Sequence, residues 1–170
     1  TTIGPPQEFK LKPLWESTLE GTSKEDVAAF WRRYEKTSKR MNDIYKRHSV
    51  AMKTINAMNL ALKRSSAEPG ELDARVFMLK GELSDLDIKL HGQESQNSVG
   101  SERQPMTMRS RLYAVSSSIS RSTYGPTGTS IRSMEIVDKE IASILLELGG
   151  SESELDDLRK ALTAAGAPPI

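Results

Sequence analysis

Residues 27–62 read VAAFWRRYEKTSKRMNDIYKRHSVAMKTINAMNLAL, and this stretch decides the fold. Its seam positions recur at alternating gaps of three and four residues, at Phe30, Tyr34, Thr37, Met41, Ile44, His48, Ala51, Ile55 and Met58. That spacing places them on one face of an α-helix, as in a coiled coil. No proline or glycine occurs from Thr22 to Ala67, so the helix can extend for roughly 65 Å. A single apolar stripe does not stabilise so long a helix alone, so other helices must pack against it.

The composition favours an elongated helical protein over a compact enzyme. Of 170 residues, 36% are hydrophobic, 5% are aromatic and 28% are charged, which suits a bundle with a large exposed surface. The chain has no cysteine, which excludes disulfides and thiolate chemistry. No apolar run approaches the roughly eighteen residues that a membrane span needs.

Prolines, glycines and the apolar periods predict two regions, an extended segment over 1–21 and a helical bundle over 22–170. The bundle is predicted to contain helices over about 23–66, 69–91, 106–123, 130–148 and 152–165. A mobile loop is predicted over 92–104. Ser23 with Asp26 resembles a capping box at the first helix start. The short connection after the first helix predicts an antiparallel hairpin with the second. The fold class is therefore all-α, an elongated bundle centred on a long antiparallel coiled-coil hairpin.

The first 21 residues differ from the rest of the chain. Glu8-Phe9-Lys10-Leu11-Lys12 alternates polar and apolar side chains, as an exposed strand does. This segment is either the last strand or linker of a preceding β domain, or an extended tail that packs on the bundle through Leu14, Trp15 and Leu19. We expect this chain to be a piece of a longer polypeptide, because it opens with Thr1-Thr2-Ile3-Gly4-Pro5-Pro6 and lacks an initiator Met.

Gly149-Gly150 predicts a break or kink near the end of the bundle. Two glycines cost a helix interior about 2 kcal/mol relative to alanine, and Ser151 with Glu154 resembles a new capping box. We therefore expect a short last helix after the break, with Gly166 as its C′ residue.

The apolar periods identify the residues that we expect to form the core. They lie on the first, second and fourth helices: Phe30, Tyr34, Met41, Ile44, Leu79, Leu83, Leu86, Val137, Ile141 and Leu145.

Charge is unevenly distributed although the net charge is only +1. Basic residues dominate the first helix, whereas acidic residues dominate the later segments. One interpretation is that basic and acidic helices pack antiparallel and complement each other. The other is a face of the first helix that binds an anionic polymer or nucleic acid. The candidate residues of that face are Arg32, Arg33, Lys36, Lys39, Arg40, Lys46 and Arg47.

No stretch carries a catalytic or metal-binding pattern. His48 lies at a seam position without a ligand at zinc spacing, and His91 is expected at a helix end. The serine run 116–120 lacks the Gly-x-Ser-x-Gly elbow, and 125–130 lacks the phosphate-loop pattern. We therefore predict no catalytic, cofactor-binding or metal-binding residue, no cofactor, and no enzyme activity in this chain.

Three segments together resemble a known family. They are Ile3-Gly4-Pro5-Pro6-Gln7-Glu8-Phe9-Lys10-Leu11-Lys12-Pro13-Leu14, the stretch from Arg111-Leu112-Tyr113 to Tyr124-Gly125-Pro126-Thr127-Gly128-Thr129, and 155–168. They look like the C-terminal region of large bacterial sortilin-like proteins built on BNR (Asp-box) repeat β-propellers, which are often labelled as glycosyl hydrolases. The resemblance implies an exported protein at the periplasm or cell surface. It implies no catalytic residue here, because no Asp-box element is present.

These observations predict a non-catalytic helical scaffold or protein-interaction domain. Its partners would be the propellers of its own parent protein or other proteins of the envelope or cell surface, with no membrane span. Two alternatives stay open. The chain could be an accessory part of a polysaccharide-active glycosyl hydrolase, or a binder of anionic polymers or nucleic acid through its basic first helix.

Overall fold

A computed structural model describes residues 4–5, 7–12, 20–64, 70–92 and 105–168. All regular secondary structure in these ranges is helical, which confirms the all-α bundle. The four helices are α1 (Lys24–Arg64), α2 (Glu71–His91), α3 (Met108–Ser120) and α4 (Gly128–Ala164).

The contacts of α1 define the directions of its two long neighbours. Tyr45 hydrogen-bonds the carbonyl oxygen of Leu90, and His48 hydrogen-bonds that of Leu83. The paired positions move in opposite directions along the chain, so α1 and α2 are antiparallel, as the short connection predicts. Helix α1 is joined to α4 by the ion pairs Arg33–Asp138 and Arg47–Glu152. The paired residues are 105 positions apart in both cases, so the two helices run in the same direction and are parallel. The expected antiparallel packing of the basic first helix with acidic helices therefore holds for α2 and is wrong for α4.

Helices α2 and α3 follow one another along the same side of α1. The Tyr45 hydroxyl donates to Leu90 near the end of α2, at 2.6 Å. The guanidinium of Arg109, in the first turn of α3, lies 4.3 Å from the centre of the same tyrosine ring. The end of α2 and the start of α3 therefore meet at Tyr45. A cross-section of the bundle therefore cuts three helices among the described residues. Two of them are the parallel helices α1 and α4, and the third is α2 at one end of the bundle and α3 at the other.

Local sequence signals fix the starts of α1, α3 and α4. Ser23 accepts a hydrogen bond from the Asp26 amide at 3.1 Å and donates to its carboxylate at 2.7 Å, which satisfies polar groups in the first turn of α1. Thr107 and Thr127 cap α3 and α4 in the same way, each accepting from an amide three residues later.

The corner between α3 and α4 packs against the start of α1. The Thr22 amide donates to the carbonyl oxygen of Tyr124 at 2.9 Å. Gly125 has φ of 89°, and a Cβ there would lie 2.7 Å from the Cβ of Thr22. Glycine is required at 125 for both reasons.

The core runs the length of the bundle and contains the seams of all four helices. Of the ten residues expected in it, eight are buried, while Tyr34 and Leu145 are partly buried and pack against it. Helix α3 contributes four core residues that the prediction did not include: Met108, Leu112, Val115 and Ile119.

The predicted break at Gly149-Gly150 is wrong, because α4 continues through it to Ala164. Ser151 is 5% exposed and occupies a core position between Leu148 and Leu155. The buried seam therefore keeps its spacing of three and four residues across the glycines, and tertiary packing outweighs their low helix propensity. Ser151 is a seam residue of this helix and not the cap of a new one.

Other boundaries differ modestly from the predictions. Helix α3 ends at Ser120 rather than about 123, and α4 begins at Gly128 rather than about 130, because Thr127 takes the capping role. Residues 7–12 form no strand and are exposed, so the alternation at Phe9 and Leu11 does not produce regular structure here. The expected contacts of 14, 15 and 19, the ends near 66 and 69, and the loop over 93–104 lie outside the described residues.

Candidate interaction surfaces

Two of the seven residues expected to face an anionic partner pair instead with α4. Arg33 donates to Asp138 at 2.7 Å, and Thr37 donates to the other oxygen of the same carboxylate at 2.9 Å. Arg47 donates to both carboxylate oxygens of Glu152, at 2.9 and 2.6 Å. These hydrogen bonds lower the pKa of the Glu152 carboxyl and raise that of Arg47. Charge complementarity between α1 and α4 is therefore present, in a parallel arrangement.

The other five residues of the expected face are exposed. Together with Lys53 they form what we call the basic ridge: Arg32, Lys36, Lys39, Arg40, Lys46 and Lys53. No member of the ridge is in an ion pair within the part of the chain that the structure describes.

Helix α2 is joined to α4 by further ion pairs. Arg75 donates to Glu154 at 2.7 Å, and Lys89 donates to Glu147 at 2.6 Å. Glu154, which the sequence suggested as part of a capping box, thus holds α2 against α4.

Helix α2 also has an outward face that sequence reasoning missed, with Phe77 and Ile88 as exposed apolar side chains and Ser84 half-buried. Phe77, Gly81, Ser84 and Ile88 follow one another at gaps of four, three and four residues, away from the buried seam of the same helix. We call these four residues the outer seam. Phe77 is 79% exposed and Ile88 is 44% exposed. The sequence contains this spacing, but the leucine seam at 79, 83, 86 and 90 is the stronger apolar pattern of the helix, so only that pattern was used for the prediction.

A buried histidine links α1 and α2. His48 is 2% exposed, and its Nε2 lies 2.9 Å from the carbonyl oxygen of Leu83, so Nε2 carries the hydrogen and donates it. Its Nδ1 lies 3.6 Å from the Asp87 carboxylate, and His91 Nδ1 donates a hydrogen bond to that carboxylate at 3.0 Å. Burial raises the pKa of the neighbouring Tyr45 hydroxyl, an effect that Arg109 opposes. The hydrogen bonds of Tyr45 and His48 to carbonyl oxygens of α2 therefore join the two helices of the hairpin.

A cleft of about 500 Å³ lies where α2 ends and α3 begins. Met106, Ile88 and Ile144 supply apolar walls, and Glu140 is among its polar residues. Burial raises the pKa of Glu140, and Arg111, 3.9 Å away, partly offsets this. The Nε of Arg111 is buried without a hydrogen-bond partner among the described residues. Gly92 and Pro105 are also among the residues that line the cleft.

Among the described residues, no three His, Asp or Glu side chains are arranged to hold a metal ion. None of the helices described is long and apolar enough to cross a membrane. Comparison of the chain with protein-family models, curated proteins and solved structures found no match. The resemblance to sortilin-like BNR-repeat proteins, and the export that it implies, stay predictions.

Proposed function

We propose that this chain is a non-catalytic scaffold that binds a helix of a partner protein along the outer seam of α2. The observation that carries the proposal is the heptad-like spacing of Phe77, Gly81, Ser84 and Ile88 on the exposed side of a helix whose other side is already packed. Phe77 and Ile88 are the large apolar residues of this set, and the heptad-like spacing is that of helix surfaces that pack against another helix.

The side chains of the outer seam suit a closely approaching helix. A Cβ at Gly81 would meet nothing within 4 Å, so a partner side chain has room there. The Ser84 hydroxyl already donates to the carbonyl oxygen of Lys80 at 2.8 Å, so covering it costs little hydrogen bonding. Burying a large apolar side chain such as Phe77 contributes roughly 1.5–3 kcal/mol. Single exposed apolar residues need no explanation, but a spaced set with small residues between them favours a docking seam.

Charge narrows the chemistry of the partner. Asp73 and Asp85 are exposed and lie on either side of the outer seam by helical spacing. An amphipathic partner helix with an apolar stripe and basic flanks would complement both features. Under the resemblance given above, the partner would be a domain of the same parent protein or another envelope or surface protein.

Photo-crosslinking with a matched control tests the proposal. A benzophenone side chain replaces Phe77 in one variant and Leu146 in the other, because Leu146 is equally exposed, at 80%, on the outer side of α4. Each variant is irradiated in extract of the native cells, and mass spectrometry identifies the crosslinked peptide. We expect capture at 77 and not at 146, with the crosslink in a segment of amphipathic helical pattern.

A synthetic peptide of the captured segment then provides the quantitative test. We expect it to gain helicity on binding, and Gly81→Leu, which fills the gap in the outer seam, to weaken binding at least tenfold. Gly149→Leu on α4 is the control and should leave binding unchanged. Equal capture at both positions, or a peptide that binds Gly81→Leu as well as wild type, would refute the proposal. If the outer seam instead binds a second copy of this chain, the crosslinked peptide would come from this chain itself. The partner would then be a second copy and not a different protein.

A further inference from the structure

The basic ridge of α1 is regular and points away from the bundle. Arg32, Lys39, Lys46 and Lys53 are seven residues apart, at the heptad position farthest from the core seam, and all four are exposed. Seven residues of helix rise about 10.5 Å, so the row extends in a line for about 31 Å. Lys36 lies beside this row, and Arg40 lies on the flank toward α4, at the heptad position of Arg33 and Arg47; both are exposed.

Folding does not explain this concentration of charge. The segment 32–53 contains eight basic and two acidic residues, and only Arg33 and Arg47 pair across to α4. Arg32, Lys36 and Arg40 are four residues apart, a spacing at which like charges repel each other on a helix. The two acids of the segment are Glu35, which is exposed, and Asp43, which lies 3.8 Å from Arg47. The ridge therefore opposes folding locally and is available to an external anion.

The scarcity of exposed large apolar side chains beside the ridge, among the residues that the structure describes, disfavours a protein or membrane as the ligand. Val50, 62% exposed, is the large apolar residue beside Lys46 and Lys53. Protein interfaces depend on buried aromatic and aliphatic anchors, and exposed ion pairs alone contribute little. A helix that lies in a membrane interface likewise needs an apolar face. A polyelectrolyte differs, because each cation that replaces a condensed counterion adds to the binding.

The surroundings of the ridge also disfavour nucleic acid. Single-stranded nucleic acid binds through aromatic side chains on which bases stack, whereas Trp31, Tyr34 and Tyr45 are partly buried against the core. A duplex is stiff and its strands wind around the axis, so a straight row of this length follows one strand only briefly. A flexible linear chain of anionic sugars can follow the row over its full length.

We propose that the basic ridge binds a linear acidic polysaccharide, whose carboxylate or sulfate groups lie along α1. This interaction goes beyond the docking of a partner helix and uses a different face, so each can fail without the other.

Titration of the whole chain with heparin and with polygalacturonate tests the proposal. The variant is Lys39→Glu/Lys46→Glu. The matched control is Arg132→Glu/Lys139→Glu, which makes the same charge change at the same spacing of seven on the exposed side of α4. We expect the ridge variant to weaken binding at least tenfold and the control to change it less than threefold. The slope of log K against log salt should fall by about two in the ridge variant.

A milder pair, Lys39→Gln/Lys46→Gln, keeps the test valid if the charge reversal harms folding, and it should weaken binding in the same direction. Equal losses in the ridge and control variants would overturn the proposal, as would wild type that binds neither polysaccharide. Tighter binding to duplex DNA, to single-stranded DNA or to phosphatidylglycerol vesicles at the same salt would also overturn it, because the ligand class would then be different.

Discussion

Replacing both Gly149 and Gly150 with alanine should stabilise the protein. Both residues lie inside α4, neither has a positive φ, and a Cβ at either position would meet nothing within 4 Å. The substitutions therefore add no steric conflict and remove the entropic cost of ordering glycine. Alanine is favoured over glycine by about 1 kcal/mol in a helix interior, so the double variant should gain about 2 kcal/mol.

This gain is measurable by two methods. For a chain of this size, 1 kcal/mol shifts Tm by roughly 2–4 °C, so calorimetry should show a rise of about 4–8 °C. Urea unfolding should show a higher midpoint with an unchanged slope, since the surface exposed on unfolding is nearly the same. Circular dichroism should show helicity that is equal to wild type or slightly higher.

Gly166, just beyond the end of the same helix, provides the control. It has φ of 73°, its amide donates to the carbonyl oxygen of Thr163, and the Ala167 amide donates to that of Leu162. This is a Schellman motif, in which glycine adopts the left-handed conformation at C′. Gly166→Ala should therefore cost about 1 kcal/mol. If α4 were broken at 149–150, a glycine there would have this same role. A lower Tm for the double alanine variant would then refute the continuous helix.

Two further predictions concern the core and the ion pairs. Leu83→Asp should cost several kcal/mol in urea unfolding, because Leu83 is 0% exposed and the aspartate would be a buried charge; unchanged stability would contradict the antiparallel hairpin. The hydrogen bonds from Arg47 lower the pKa of Glu152 below its usual 4.5, so the stability that they contribute is present above that pH and lost as pH falls through the lowered value. Glu152→Gln should therefore lose less stability than wild type between about pH 5 and about pH 3, whereas Glu135→Gln, an exposed control on the same helix, should follow wild type.

The sequence predicts the start of α1 and the end of α4 well because each of these two ends carries a complete local signal. Ser23 and Asp26 mark the start of α1, a seam without proline or glycine follows, and Gly166 ends α4 as a C′ residue. These signals depend on a few neighbouring residues and on one apolar period. They survive in the structure because packing and local preference agree at these positions.

The errors arise where a residue has a local preference and a tertiary role that differ. Ser151 resembles a cap in the sequence but is buried as a seam residue, so the continuity of α4 depends on its neighbours in the bundle. The parallel pairing of α1 with α4 was also not predictable, because an apolar stripe indicates which face is buried and not which helix covers it. The partners of Arg33 and Arg47, more than 100 residues away, follow from that pairing.

The proposed binding surfaces can be separated from folding because both lie outside the seams that hold the bundle together. The outer seam belongs to α2, whose other side packs through Leu79, Leu83 and Leu86. The row of the basic ridge at 32, 39, 46 and 53 lies on α1 opposite its own core positions. Substitutions at exposed sites away from packed features usually change stability by little. A loss of binding without a loss of Tm therefore reports on the surface itself. If Gly81→Leu affects only the peptide and the ridge variant only the polysaccharide, the two functions are independent. A variant that weakened both would instead indicate that one ligand covers α1 and α2 together.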